Sequence, residues 1–269
     1  MKKIAVLLTA LVGAMLASSE SSTADQFSFR QCSGAESIGL SGFYSALGDD
    51  YVDVVTGCNG GPSGKLGVYQ DRSNRRMSFG SGGQFIWYVP AGDEITETSI
   101  TAKLNSKNGI AARLIGANED NTDISLDAGA DHDGVSSLSH WKDSVDPITV
   151  VVARLTCRSD NGCENNSNSP KAFLELSDLE FQVRDTKLPL VSASGTLKTW
   201  ADDGKWHRGV ATYAVTTSDQ GSGISRSYLK VNGSSVDTTS TACPAAKSNY
   251  ATSFSPCPAS QTYQDSVDT

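Results

Sequence analysis

From residue 25 onward, stretches in which apolar side chains recur every second residue are found all along the chain, and no stretch sustains the 3.6-residue period of an amphipathic helix. Ile100, Ala102 and Leu104 alternate with Ser99, Thr101 and Lys103, and Leu179, Phe181 and Val183 alternate with Glu180, Gln182 and Arg184. A strand of this pattern buries one face and wets the other, because successive side chains leave the backbone on opposite sides. The nearly continuous, β-branched run at 148–155 fits a central strand covered on both faces. Further strands are predicted at 51–55, 66–69, 84–89, 210–217 and 227–231, punctuated by turn formers such as Gly60-Gly61-Pro62, Pro90-Ala91-Gly92 and Asn232-Gly233. Adding the 25 glycines to the hydrophobic 38% brings the apolar share of the 269 residues to about 47%, enough material for a sizeable core. The pattern therefore predicts an all-β protein of packed antiparallel sheets.

Residues 1–24 have a different character. Lys2 and Lys3 precede an apolar run at 4–17 that is too short to cross a bilayer as a helix, which is the layout of a secretory signal peptide. Ser22-Thr23-Ala24 supplies the small residues that cleavage needs and predicts a mature start at Asp25, with Ala17-Ser18-Ser19 as an earlier alternative. Leu16-Ala17-Ser18-Ser19 has a serine where a lipobox requires cysteine, so no lipid can be attached there. All six cysteines follow the cleavage site, and an even count in an exported chain predicts disulfides. Their order as close pairs favours Cys32 with Cys58, Cys157 with Cys163, and Cys243 with Cys257. Zinc is disfavoured, since no CxxC occurs and His132, His140 and His207 are scattered. The formal charge of -8 becomes about -9 without the leader, so a polyanion would be repelled and nucleic acid is not an expected partner. The expected location is secreted or cell surface, with no membrane span after signal cleavage.

The charged cluster Arg184-Asp185-Thr186-Lys187 and Pro189 end the strand at 179–183 and predict a domain junction near 186/187. The first domain, 25–186, is long enough for a sandwich of jelly-roll size, and 187–269 approaches the length of an immunoglobulin-type domain. Within the second, Leu188-Pro189-Leu190-Val191, Trp206-His207-Arg208-Gly209, Ser218-Asp219-Gln220-Gly221-Ser222-Gly223-Ile224 and Leu229-Lys230-Val231-Asn232-Gly233 follow in order. The series resembles bacterial Ig-like modules, in which an Asp-x-x-Gly-Ser-Gly-Ile turn links two strands. The whole chain is similar to large secreted bacterial proteins that place a lectin-like sandwich before such modules, with the segment Trp87-Tyr88-Val89-Pro90-Ala91-Gly92-Asp93-Glu94-Ile95 matching a strand and turn of the sandwich. The resemblance implies a jelly-roll or lectin-like β-sandwich followed by an Ig-like β-sandwich, and it supplies no catalytic residues.

Candidate chemistry is sparse. Asn59-Gly60-Gly61-Pro62-Ser63-Gly64-Lys65 lacks both the first glycine and the hydroxyl of a phosphate-binding loop, and Ser41, Ser63 and Ser222 form no Gly-x-Ser-x-Gly. Asp178 and Glu180 are the candidate catalytic pair, because jelly-roll glycosidases divide acid and nucleophile roles between carboxylates on one strand. In a regular strand these two share a face and Glu175 points the other way. Glu119, Asp120, Asp123, Asp127, Asp131 and Asp133 crowd a stretch free of lysine and arginine, and Asp127, Asp131 and Asp133 are the candidate calcium ligands there. For ligand contact, flat rings stack on sugar faces. Trp141 lies in a polar segment expected to be a loop, while Trp87 and Tyr88 sit on opposite faces of their strand, so one of the two turns outward.

Export, disulfides, an all-β pattern and the lack of a catalytic set lead us to expect a non-catalytic extracellular binding or adhesion module that contacts a glycan or a surface protein. The alternatives are a secreted glycan-cleaving enzyme of jelly-roll type and a structural Ig-like fragment of a larger surface protein. After Asn232-Gly233 only residues 261–269 remain to add a strand beyond the 243–257 loop, so the second domain is expected to end in an incomplete sheet open to a donated strand.

Overall fold

A computed structural model describes residues 26–32, 43–46, 50–55, 57, 65–70, 76–118, 124–130, 134–164, 172–231, 234–244, 251 and 253–268. Side chains at 43–46, 124–130, 134–144, 146, 228–231 and 234–237 fall outside the description. The first strands are β1 (Gln26–Gln31), β2 (Phe43–Ala46), β3 (Val52–Val55), β4 (Leu66–Gln70), β5 (Gly82–Tyr88) and β6 (Asp93–Ser106). They are followed by β7 (Ile110–Ala117), β8 (Ile124–Ala130), β9 (Gly134–Ile148), β10 (Val150–Cys157) and β11 (Phe173–Asp185). The chain continues through β12 (Leu190–Ser194), α1 (Thr196–Asp203), β13 (Val210–Ser218), β14 (Arg226–Val231), β15 (Ser234–Ser240) and β16 (Ser260–Asp268).

The all-β expectation holds. One six-stranded sheet runs β3-β4-β11-β6-β9 with β1 also on β11, and a five-stranded sheet runs β2-β5-β10-β7-β8. Every pairing between named strands is antiparallel. The two sheets share one core, to which one contributes Leu66, Ile100, Leu104, Leu174, Phe181 and Val183 and the other contributes Phe85, Trp87, Leu114, Val151 and Leu155. From β5 to β11 the chain mostly alternates between the sheets, so the pairings join residues distant in sequence. The β-branched run at 148–155 spans the end of β9 and most of β10, and β10 is central in its sheet, between β5 and β7.

Cys157 pairs with Cys163 and Cys243 with Cys257, as the spacing predicts. Cys32 is also disulfide-bonded, whereas Cys58 lies outside the described residues. The segment 1–24, expected to be a signal peptide, lies outside them too. Among the described residues no helix is long and apolar enough to cross a membrane. The disulfides are compatible with an extracellular protein.

Strand pairing changes partners after β11: β12, β13 and β16 form a three-stranded sheet, and β14 and β15 form a hairpin. The final strand is present and pairs with β13 from Val210↔Asp268 to Ser218↔Ser260. Leu190, Val191 and Val210 nevertheless remain largely exposed. The α1 helix departs from the strand-only expectation. Eight residues bounded by Gly195 and Gly204, with Lys198 paired to Asp202 one turn on, are too few to show as a period in the sequence.

Phe254 crosses the junction. It is buried in the core of the first sandwich, stacked 4.3 Å from Phe29 and 6.4 Å from Phe181. Nearby, Arg30 donates its backbone N–H to the Ala251 carbonyl and Ala251 donates to the Ser28 carbonyl, which covers part of the free edge of β1. The Cys243–Cys257 loop therefore fastens the C-terminal part to the N-terminal sandwich. Phe254→Ala is expected to lower the unfolding free energy in urea by about 3 kcal/mol. Trp206→Ala, at a side chain 92% exposed, is expected to change it by less than about 0.5 kcal/mol.

Candidate functional site

The long strand β11 determines where the charged side chains go. Leu174 and Leu176 point into the core, and so do Leu179, Phe181 and Val183, although 176 and 179 differ in parity. The discrepancy is absorbed by a β-bulge: Leu176 faces Ala102 and Asp178 faces Thr101, leaving Ser177 as the extra residue. Glu175 consequently lies on the same outer face as Glu180, contrary to the regular-strand expectation.

None of these acids stands alone. Glu180 pairs with Arg30 at 2.9 Å, and Asp178 is likewise engaged. Glu175 accepts hydrogen bonds from Lys65 Nζ at 2.6 Å and from Tyr69 Oη at 2.9 Å. Burial pushes the Glu175 carboxyl up, but the bonds from Lys65 and Tyr69 outweigh it and hold the group below its ordinary value. The Lys65 ammonium is raised chiefly by Glu175 in return. This is the electrostatics of a fixed carboxylate rather than of a proton donor, whose pKa must be raised toward neutrality.

Around Glu175 the outer face carries a half-buried aromatic pair. Tyr69 and Phe173 face each other across β4 and β11 with centroids 6.3 Å apart, Lys65 lies 5.7 Å from the Tyr69 centroid, and Lys103 lies 5.5 Å from that of Phe173. The Tyr69 ring folds over Gly67, where an added Cβ would stand 2.4 Å from Cε2 and 2.7 Å from Oη. Glycine at 67 is what lets the phenol lie against the sheet and reach Glu175. The sequence signal for Tyr69 was its alternation with the core residues Leu66 and Val68. Phe173 lacked one, being an apolar residue on the wetted face.

The expected rings are distributed differently. Trp87 is fully buried, and its indole N–H donates to the buried Gln31 Oε1 at 2.7 Å, so it is a core residue with no ring face free for a ligand. Tyr88, on the opposite face, is 54% exposed. Trp141 sits in β9 with its backbone opposite Ile100 rather than in a loop, and its side chain is outside the description. Of the expected calcium ligands, Asp131 and Asp133 lie outside the described residues, and Asp127 lies in β8 with only its backbone described.

A second set of carboxyl groups escaped the sequence reading. Asp93 and Asp185 are directly opposite each other at the ends of β6 and β11, in phase with inward-facing Ile95 and Val183. They are 1% and 5% exposed, and Asp219 beside them is 7% exposed. Asp185 accepts from the Lys187 N–H, the Ser222 N–H and the Ser222 hydroxyl, and Asp219 accepts from the Gly223 N–H. Both oxygens of Asp93 and Oδ1 of Asp219 receive nothing. Burial, with Asp185 and Asp219 adding their charge, pushes the Asp93 carboxyl up to about 7.

No protein-family model matches the chain, and no curated protein matches it.

The Glu175 arrangement has a definite pH signature. A depressed carboxyl contributes stability that is complete above its ordinary value of 4.5 and is lost as the pH falls through the lower folded value. Because Lys65 is partly solvated, Glu175→Gln is expected to cost at most about 1 kcal/mol at pH 7. The cost should shrink as the pH is lowered below 4.5 in urea melts, whereas a pH-independent cost would show that the bonds to Lys65 and Tyr69 do not act through charge.

Proposed function

We propose that the protein is an exported, non-catalytic binding module that recognises a glycan at an extracellular surface through the outer face of its six-stranded sheet. The reading treats 25–186 as a jelly-roll or lectin-like recognition domain and 187–269 as an Ig-like spacer behind it. The observation that carries it is the Tyr69 and Phe173 pair, half-buried on the outer sheet face and ringed by Lys65, Lys103 and Glu175. Aromatic rings offer apolar area to the C–H faces of a pyranose, and fixed charged groups beside them supply orienting hydrogen bonds to hydroxyls. A phenol held by a neighbouring carboxylate and laid over Gly67 loses little conformational entropy on binding.

The nearby acids support binding over hydrolysis. Glycoside cleavage needs one carboxyl that retains a proton near neutrality and a second that is free to attack or to activate water. Glu175 and Glu180 are each neutralised by a cation at hydrogen-bond distance, and Asp178 is engaged as well.

Glycan-array screening of the folded protein, followed by titration with the best hit, tests the reading. Tyr69→Ala and Phe173→Ala are each expected to weaken binding about tenfold or more, equivalent to roughly 1.4 kcal/mol. Tyr88→Ala, on the other sheet, should leave affinity unchanged. A folded protein that binds neither the array nor intact cells overturns the proposal. Release of reducing sugar that is abolished by Asp178→Asn replaces it with hydrolysis.

A further inference from the structure

We propose that Asp93, Asp185 and Asp219 form a calcium site where the turn after β13 meets the end of the first sandwich. Two strands place Asp93 and Asp185 in direct cross-strand register, both directed inward. Like charges directly opposite each other on neighbouring strands repel, and the repulsion grows when water is excluded. The third carboxylate comes from the Asp-x-x-Gly-Ser-Gly turn, and the same turn is drawn onto Asp185 by the Ser222 N–H and hydroxyl at 2.9 and 2.8 Å. Its backbone passes so close that a Cβ at Gly221 would stand 2.5 Å from Asp185 Oδ2.

The division of hydrogen bonds among the carboxylate oxygens points to a cation. Neutral donors satisfy both oxygens of Asp185 and one of Asp219, and their N–H and O–H groups hold those side chains in place. Asp93, a side chain almost wholly removed from water, receives no donor at either oxygen, and Asp219 Oδ1 is equally unpartnered. A buried carboxylate without a hydrogen bond or counter-charge is among the most costly groups a protein can hold. A hard cation is attracted to such a set, and three carboxylates with no nitrogen or sulfur donor among them suit oxygen-seeking calcium over zinc. Calcium accepts irregular geometry and completes six to eight oxygen ligands with waters and carbonyls, where magnesium demands a near-ideal octahedron. As placed, no three such side chains among the described residues stand close enough together to hold a metal ion. Binding therefore requires Asp93 and the free oxygen of Asp219, both already buried, to draw together around the ion against the fixed carboxylate of Asp185. The ion would then clamp the turn between β13 and β14 to β6 and β11, adding a second fastening between the two parts of the chain.

The test is calorimetric titration of calcium chloride into the chelator-stripped chain, with melting temperature measured in parallel. Wild type is expected to bind calcium, to melt at higher temperature as calcium is added, and to revert with chelator. Asp93→Asn and Asp219→Asn remove ligands while keeping shape. Each should weaken calcium binding about tenfold or more and remove most of the melting shift. A double variant Asp131→Asn, Asp133→Asn should leave both readouts unchanged. If wild type neither binds calcium nor shifts its melting temperature, the site does not exist. If both aspartate-to-asparagine variants at 93 and 219 bind as wild type does and the double variant does not, calcium belongs to the acidic stretch and the proposal fails.

Discussion

The side-chain parity of β11 is the constraint on which the rest of the structure depends. This strand pairs with β1, β4 and β6, so its inward residues form the middle of the core and its outward residues form the middle of the exposed face. Period two leaves no freedom: once Phe181 packs beside Trp87 at 6.0 Å, Glu180 and Gln182 must face out. The bulge at Ser177 is the one place along β11 where the rule is reset, and it divides the strand into two segments that each keep their leucines inside. Without that extra residue, one of the pairs Leu174–Leu176 or Leu179–Phe181 would be driven into water. The aromatic and charged group around Glu175 at one end and the buried Asp185 at the other thus follow from one backbone decision.

The edges of the sandwich add a second constraint. β1 is attached only to β11, and its outer edge would offer unpaired backbone groups to any passing strand. Ala251 occupies part of that edge, and Phe254 fills the space beside Phe29 and Phe181. A disulfide closes the loop that carries both residues, which restricts the alternatives open to them before folding. The core of the first sandwich is therefore completed by residues more than 200 positions further along the chain than Phe29. A boundary drawn near 186/187 separates the strand pairings well and the packing less cleanly.

What the sequence made legible and what it hid differ in physical kind. Alternation and turn chemistry are local, so the strands at 66–69, 84–89 and 179–183 and the cysteine pairs 157–163 and 243–257 could be recognised residue by residue. The bulge at Ser177 is an event of one residue, and it reverses the inferred side of Glu175 although nothing in the composition marks it. Trp141 looked like a loop residue because Ser, His, Lys and Asp surround it, yet a long strand can have polar neighbours on both sides of a ring. Tyr69 and Phe173 meet across strands 104 positions apart, and no local pattern encodes that pairing. Trp87 resolved the other way, because the register with β10 sent Phe85 and Trp87 inward and left Tyr88 out.

The acidic groups show why charge density along a sequence is a weaker guide than side-chain parity. Six acids within residues 119–133 stand out to the eye, yet density along a sequence does not say whether water lies between the charges, and in bulk water a contact at 4 Å is worth only roughly 1 kcal/mol. Asp93, Asp185 and Asp219 are separated by 92 and 34 positions and form no cluster in the sequence. Excluded from water, the same Coulomb interaction rises to about 4 kcal/mol at an effective dielectric constant of 20. The clue to Asp185 was the continuation of the inward series Leu179, Phe181, Val183 by one more step, which ends on a carboxylate where a hydrocarbon belongs. An inward-facing acid at the end of a buried strand is a stronger mark of function than many acids on a surface, because folding tolerates it only if something else in the molecule, or bound to it, compensates the charge.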